Sequence, residues 1–150
     1  MAELITPVVE KVIAVLKERT PSALGARESF VDYGKEFTGV VANFPSVWVM
    51  PVRTSFDAEL DGRRQAHQVK VTMAVTGSEP DEVTDAAMAY MKAVDTAIAA
   101  SWPADWVGAV SGGQVLRVFV EGHDYGPLFG KEGGLARFPE LDLVVEVMEN

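Results

Sequence analysis

Residues 46–75 read SVWVMPVRTSFDAELDGRRQAHQVKVTMAV, and the fold turns on whether this stretch is one long β-hairpin. Asp61-Gly62 is a strong two-residue turn signal, because a type I′ turn needs positive φ at both central positions. With that turn Leu60 faces Arg63. The register then continues as Trp48 opposite Val75, Met50 opposite Met73, Val52 opposite Val71, Thr54 opposite Val69 and Phe56 opposite His67. These ten positions share one face and eight of them are apolar, so turn and pattern agree on a single register. On the other face Asp57 meets Ala66 and Glu59 meets Arg64, an opposite-charge pair, while Arg53 opposite Lys70 is mildly unfavourable. Val47, Val49 and Pro51 make that second face partly apolar near the base. Pro51 cannot donate to a ladder, which points to an edge or a bulge at its position. Strands of about 13–15 residues exceed the usual ~5–6. The polar distal third, SFDAELDGRRQAH, is therefore expected to project from the body, either as a solvated tip or as an arm that pairs with a neighbouring copy or a partner.

The flanking segments supply helices and further strands. In TPVVEKVIAVLKER, residues 6–19, the residues Ile5, Val8, Val9, Val12, Ile13 and Leu16 recur at helical spacing. Thr6 fits the N-cap and Pro7 the first helical position, where a missing N–H costs nothing; Thr20-Pro21 is expected to end the helix. Residues 21–45 show no sustained period and read as a long connection with one short turn of helix or strand. A second helix is predicted over 78–100, with Ser78 as N-cap and Glu79, Asp81 and Glu82 complementing the dipole of its first turn. Residues 114–122, QVLRVFVEG, read as a strand that is apolar on both faces and hence central in the sheet. The last strand spans 137–149, with Leu141, Leu143, Val145 and Val147 facing one way. One core suffices for a chain of this size, so these elements are expected in a single domain over residues 1–150.

Composition narrows the functions. No cysteine is present among the 150 residues, which removes disulfides, thiolate metal sites and a cysteine nucleophile. Mean hydropathy is +0.11, and no apolar run approaches the ~18–20 residues that a membrane-spanning helix needs. The opening MAELITPVVEKV lacks the basic start of a secretory signal. Thirteen basic against twenty-two acidic residues give a net charge of −9, and the one short basic cluster, Arg63-Arg64, is no nucleic-acid footprint. A protein of this charge repels DNA at a distance.

The motif GPLFGKEGG, residues 126–134, invites comparison with a phosphate-binding loop. Three residues, not four, separate Gly126 from Gly130, and Glu132 follows Lys131 where a hydroxyl should hold magnesium. Such a loop also runs from strand into helix, whereas this one leads toward another strand. It reads instead as a mobile connection exposing Tyr125, Leu128 and Phe129. His67, on the apolar face of the hairpin, reads as a hydrogen-bonded structural histidine. His123 beside Asp124 lacks a third partner for a metal or acid–base site, and no nucleophile, base and orienter come together. No catalytic residue, cofactor or metal is assigned.

The order helix, long connection, long hairpin, helix, strand, glycine-rich loop, strand, with the segments VVEKVIAVLKER, FPSVWVMPV, HQVKVTMAV, DAAMAYMKAVDTAI and RFPELDLVVEVME, resembles the tail terminator (tail completion, head–tail joining) proteins of long-tailed bacteriophages. The resemblance covers nearly the whole chain and lies in pattern rather than in a catalytic signature. It implies an α+β fold, a mostly antiparallel sheet with a long β-hairpin and two main helices packed on one face, and a homo-hexameric ring in the virion, at the head-proximal end of the tail, assembled in the host cytoplasm. Its partners would be further copies of itself, the tail tube protein and a head-completion or connector protein. DNA would pass through the lumen without specific binding, and no membrane would be involved. The family supplies no catalytic residues. From hairpin and loop geometry alone, the candidate interface residues are Asp57, Glu59, Arg63, Arg64 and Lys131. The alternatives are another head–tail connector or tail-tube component, and, from a different class, a small ligand-binding or enzymatic α+β domain.

Overall fold

The computed structural model describes residues 4–36, 41, 43–57 and 63–150. In chain order the elements are helix α1 (Ile5–Leu24), β1 (Asp32–Gly34), β2 (Ser46–Phe56), β3 (Arg64–Gly77), helix α2 (Pro80–Ser101), a short 3₁₀ turn (Ala104–Trp106), β4 (Gly113–Asp124), β5 (Leu128–Lys131), β6 (Gly134–Arg137) and β7 (Glu140–Glu149). The fold is α+β, with two helices and a mostly antiparallel sheet. Across the sheet the order is β1-β2-β3-β7-β4, and β6 and β5 extend it beside the far end of β3. Among the described residues only the β1–β2 pair is parallel.

One face of the sheet carries both helices. Val8, Val9, Val12, Val15 and Leu16 of α1 and Val83, Ala87, Met91, Val94 and Ile98 of α2 form one buried cluster with Val47, Val49, Val69, Val71, Met73, Leu141, Leu143, Val145 and Val147. The helical and alternating periods seen in the sequence are thus the two sides of one core. Helix α1 runs through Pro21 to Leu24, past the expected stop at Thr20-Pro21. Pro21 removes a single backbone donor from the last turn, and the Thr20 hydroxyl donates to the Leu16 carbonyl at 2.6 Å. The helix ends at Gly25, whose φ of +62° is one that glycine adopts without a Cβ penalty. At the start of α2, Ser78 gives its N–H and its hydroxyl to the Glu82 carboxylate (3.4 and 2.9 Å). The long connection after α1 contains β1, where a Cβ on Gly34 would lie 2.5 Å from the Trp48 ring.

The hairpin strands exist, but their register differs from the expected one. Near the base Val49 faces Val71 and Val47 faces Met73; beyond a bulge between Pro51 and Arg53, Thr54 faces His67 and Phe56 faces Gln65. The bulge falls where Pro51 cannot donate, and the extra residue, Val52, reverses the faces of β2. Val47 and Val49 therefore turn toward the helices, while Trp48, Met50 and Val52 turn away, contrary to the face assigned from the apolar count. This register also removes the clash expected between Arg53 and Lys70. Arg53 faces Gln68, and Lys70 reaches Glu140 at 3.3 Å. The Asp61-Gly62 turn lies outside the described residues.

The hairpin's described part does not project. Strand β7 pairs with β3 from Thr72 back to Arg64, so β3 is bonded on both sides along most of its length, and Gln65 and His67 are fully buried. Two further expectations are corrected. Strand β4, apolar on both faces, is an edge strand that pairs only with β7 among the described residues. The glycine-rich segment is a β5–β6 hairpin rather than a mobile connection, turning at Gly133 with φ +81°. Its entry is tied down as well: Asp124 accepts the Gly126 N–H at 2.8 Å, and Arg137 donates to the Gly126 carbonyl.

Candidate functional site

The candidate interface residues fall into two groups. Asp57 directly follows β2 and donates its N–H to the Arg64 carbonyl at 2.9 Å. The Arg64 guanidinium meets Glu146 at 3.3 Å, and the Arg63 guanidinium meets the Glu149 carbonyl at 3.2 Å. These three therefore gather where β2, β3 and β7 come together at one end of the sheet, engaged with their own chain. Glu59 lies outside the described residues. Lys131 sits at the opposite end, beside the β5–β6 turn, with its ammonium 5.3 Å from the Phe44 ring centre. Strand β3 separates it from the arginines by on the order of 40 Å at ~3.3 Å per residue. No helix follows Lys131; the chain turns into β6.

The histidines are structural in geometry. His67 is fully buried, with Nδ1 3.0 Å from the Thr54 hydroxyl and no partner for Nε2 among the described residues. Burial lowers its pKa to about 4, so the ring is neutral at pH 7. His123 pairs with Asp95 of α2 at 2.8 Å, not with the neighbouring Asp124, and stands edge-on to Tyr125. No cluster of three or more metal-ligating side chains occurs among the described residues. Arg19 and Asp105 tie α1 to the 3₁₀ turn through two bonds of 2.6 and 2.8 Å. That hydrogen-bonded pairing holds the Asp105 carboxyl below its ordinary range and raises Arg19.

What the fold leaves unsatisfied is backbone at its two lateral edges. On one side, β4 lacks an outer strand partner among the described residues. On the other, β1 covers β2 only from Ser46 to Trp48, which leaves the remainder of β2 uncovered by any strand among the described residues. Each edge adjoins a cleft. One, of about 440 Å³, is lined by Trp102, Pro103, Trp106, Val107 and Leu116 beside the start of β4. The other, of about 460 Å³, is lined by Ile5, Val9, Met50 and Pro51 with Lys35 and Glu36, beside β2. Val107 is 81% exposed and Val52 56%, so apolar side chains face solvent along both sides. The sheet face away from the helices is a charged lattice, in which Arg64 meets Glu146, Lys70 meets Glu140, and Arg117 lies over the Phe119 ring at 4.0 Å.

No protein-family profile matches the chain, and no curated protein is similar enough to count as a relative.

The strand directions make these edges complementary. Going from β2 through β3 and β7 to β4, every junction is antiparallel, so β2 and β4 run in opposite directions. Identical copies placed side by side in the same orientation would bring β4 of one antiparallel to β2 of the next. Sequence reasoning missed this because two-sided apolarity suggested a central strand. The signal it held was the apolar pair Val115-Leu116, which breaks the alternation where the structure has a bulge between Val115 and Arg117. Edge strands are blunted by such bulges.

Proposed function

We propose that this chain is a virion structural protein of the tail-terminator kind. Copies close into a homo-hexameric ring that caps the phage tail tube, ends its polymerisation and offers the surface to which the filled head joins. The reading starts from the element order and segments that resemble that family. The observation that carries it physically is the pair of oppositely directed edges at the two sides of one sheet, β4 and the part of β2 beyond Trp48, which no strand covers among the described residues. A contact between different patches of identical copies generates a ring when its rotation closes, and this chain offers such patches on opposite flanks. The net charge of −9 per copy suits a ring through which DNA slides without adhering. In this reading the tail tube protein and a head-completion or connector protein bind the ring's two faces. No helix among the described residues is long and apolar enough to cross a membrane.

Electron microscopy of the purified protein, alone and mixed with tail tubes, tests the proposal. Annular six-fold particles, seen alone or on tube ends, are expected. A monomer that forms none in either condition, and whose melting temperature rises with a small ligand, would replace this proposal with a ligand-binding domain.

A further inference from the structure

The outer edges of β4 and β2 share more than opposite direction, and their backbone phase can be read from the hydrogen bonds that close the sheet. The Asp57 N–H points to β3, since it bonds the Arg64 carbonyl. Alternation along an antiparallel strand then turns the N–H and C=O groups of Phe56 and Thr54 outward. The Glu149 N–H bonds Arg63 on β3, and the Asn150 N–H bonds Gly112 beside β4. Even-numbered residues of β7 therefore bond β4. Arg117 and Phe119, which face Glu146 and Val144, bond inward, and Val118 and Val120 turn their backbone groups outward.

We propose that in the assembled protein β4 pairs antiparallel with β2 of the next copy, with Val118 opposite Phe56 and Val120 opposite Thr54. The inference rests on the ring reading for its head-to-tail arrangement. Bonds, faces and charges all agree in this register. Opposed residues exchange their outward backbone bonds. Faces agree: Val118 and Val120 lie on the helix side with Phe56 and Thr54, while Phe119 and Ser55 lie on the other. Charges agree as well, because Arg117 comes opposite Asp57 and Glu121 comes alongside Arg53. Arg53, Arg117 and Glu121 are all exposed, and Arg53 and Glu121 have no ion-pair partner among the described residues. Sliding the register by two residues keeps the bonds and faces but places Arg53 against Phe119, or Asp57 against Phe119, and loses the charge match. The uninterrupted runs also correspond. On β4 the run lies between the bulges at Leu116 and Glu121, and on β2 it begins after the bulge at Val52. Phe56, 44% exposed in the single chain, gains Val118 as an apolar neighbour.

A charge-swap series on the full chain tests this by sedimentation velocity and negative-stain microscopy, with tail tubes added if the ring needs them. Arg53→Glu alone and Glu121→Arg alone each place like charges together. Each is expected to raise the concentration at half-assembly roughly tenfold or more. The double variant Arg53→Glu/Glu121→Arg restores opposite charges and is expected to recover assembly. All three keep the wild-type circular dichroism, because both positions are exposed. Annular particles indifferent to all three variants would overturn the register while leaving the ring intact. A two-fold dimer sensitive to Glu121 but not to Arg53 would also overturn it, in favour of β4 pairing with β4. Absence of annular particles from the wild type under every condition would remove the ring reading itself, and this inference with it.

Discussion

Acid should weaken this protein well before its carboxylates are neutralised, because of one ring. His67 sits between β2 and β7 with no exposed surface, and its pKa falls to about 4 from an ordinary value of 6.5. The folded state refuses a proton that the unfolded chain accepts. As pH drops below 6.5 the unfolded state gains protons and stability declines; below 4 both states are protonated and the loss levels off. The difference of about 2.5 units, at ~1.36 kcal/mol each, gives a full loss of about 3 kcal/mol, of which about 2.5 kcal/mol has accrued by pH 4.5. Against a typical total of roughly 5–15 kcal/mol this is a large share. Asp105 acts in a separate window: its lowered pKa means that its contribution disappears only as pH falls through and below the ordinary carboxylate range. Urea unfolding followed by circular dichroism at pH 7.0, 6.0, 5.0 and 4.5 measures the slope, and His67→Gln, which retains a partner for Thr54, should flatten it. A slope that is identical in wild type and His67→Gln, or a nuclear magnetic resonance titration placing His67 near 6.5, would refute the argument.

Three other outcomes are expected. Gly34→Ala drives a methyl group to within 2.5 Å of the Trp48 ring and should cost about 1–3 kcal/mol, seen as a lower melting temperature with altered tryptophan fluorescence. Met73→Ala empties a fully buried position beneath the helices and should cost about 2–5 kcal/mol by denaturant midpoint. Reversing Arg63 and Arg64 together to Glu should change stability by less than about 1 kcal/mol, since both arginines are exposed and Arg64 meets Glu146 at the surface, yet reduce assembly in light scattering; loss of folding would contradict the placement of these side chains at the surface.

Where one period dominates, the sequence revealed the fold. Val8, Val12 and Leu16, or Leu141, Leu143, Val145 and Val147, have one apolar side and one possible orientation, and they are buried as expected. Where both faces of a strand carry apolar residues, the pattern ceases to choose. In β2 the larger side chains Trp48 and Met50 outweighed Val47 and Val49 in an apolar count, but the bulge at Val52 decided the matter. A bulge inverts parity for every residue on one side of it, and only tertiary pairing fixes its position. The same ambiguity made β4 look central. For the candidate site, Asp57, Arg63 and Arg64 were expected on a projecting arm, whereas the structure gathers them at one end of the sheet, and the in-chain partners of the two arginines come from β7, more than eighty residues away along the chain. No local pattern encodes that pairing.

The bulges that obscured the register bear on how an assembly of this chain would be limited. An uninterrupted edge of twelve residues would invite indefinite pairing and fibre growth. Bulges at Leu116 and Glu121, with Val52 and Pro51 on the other edge, confine regular pairing to a run of four or five residues. A joint that short is weak in isolation. In a closed ring every protomer is held by two joints, so releasing one copy requires both to open, and effective concentration strengthens the second once the first has formed. Short, charge-matched edges therefore favour closure over open polymers: the final joint gains this intramolecular advantage, and an open end does not. Restoring a regular β4 edge by deleting Leu116 should accordingly shift the products from discrete rings toward heterogeneous aggregates in size-exclusion chromatography. Rings of unchanged size from that variant would show that closure owes nothing to the bulge.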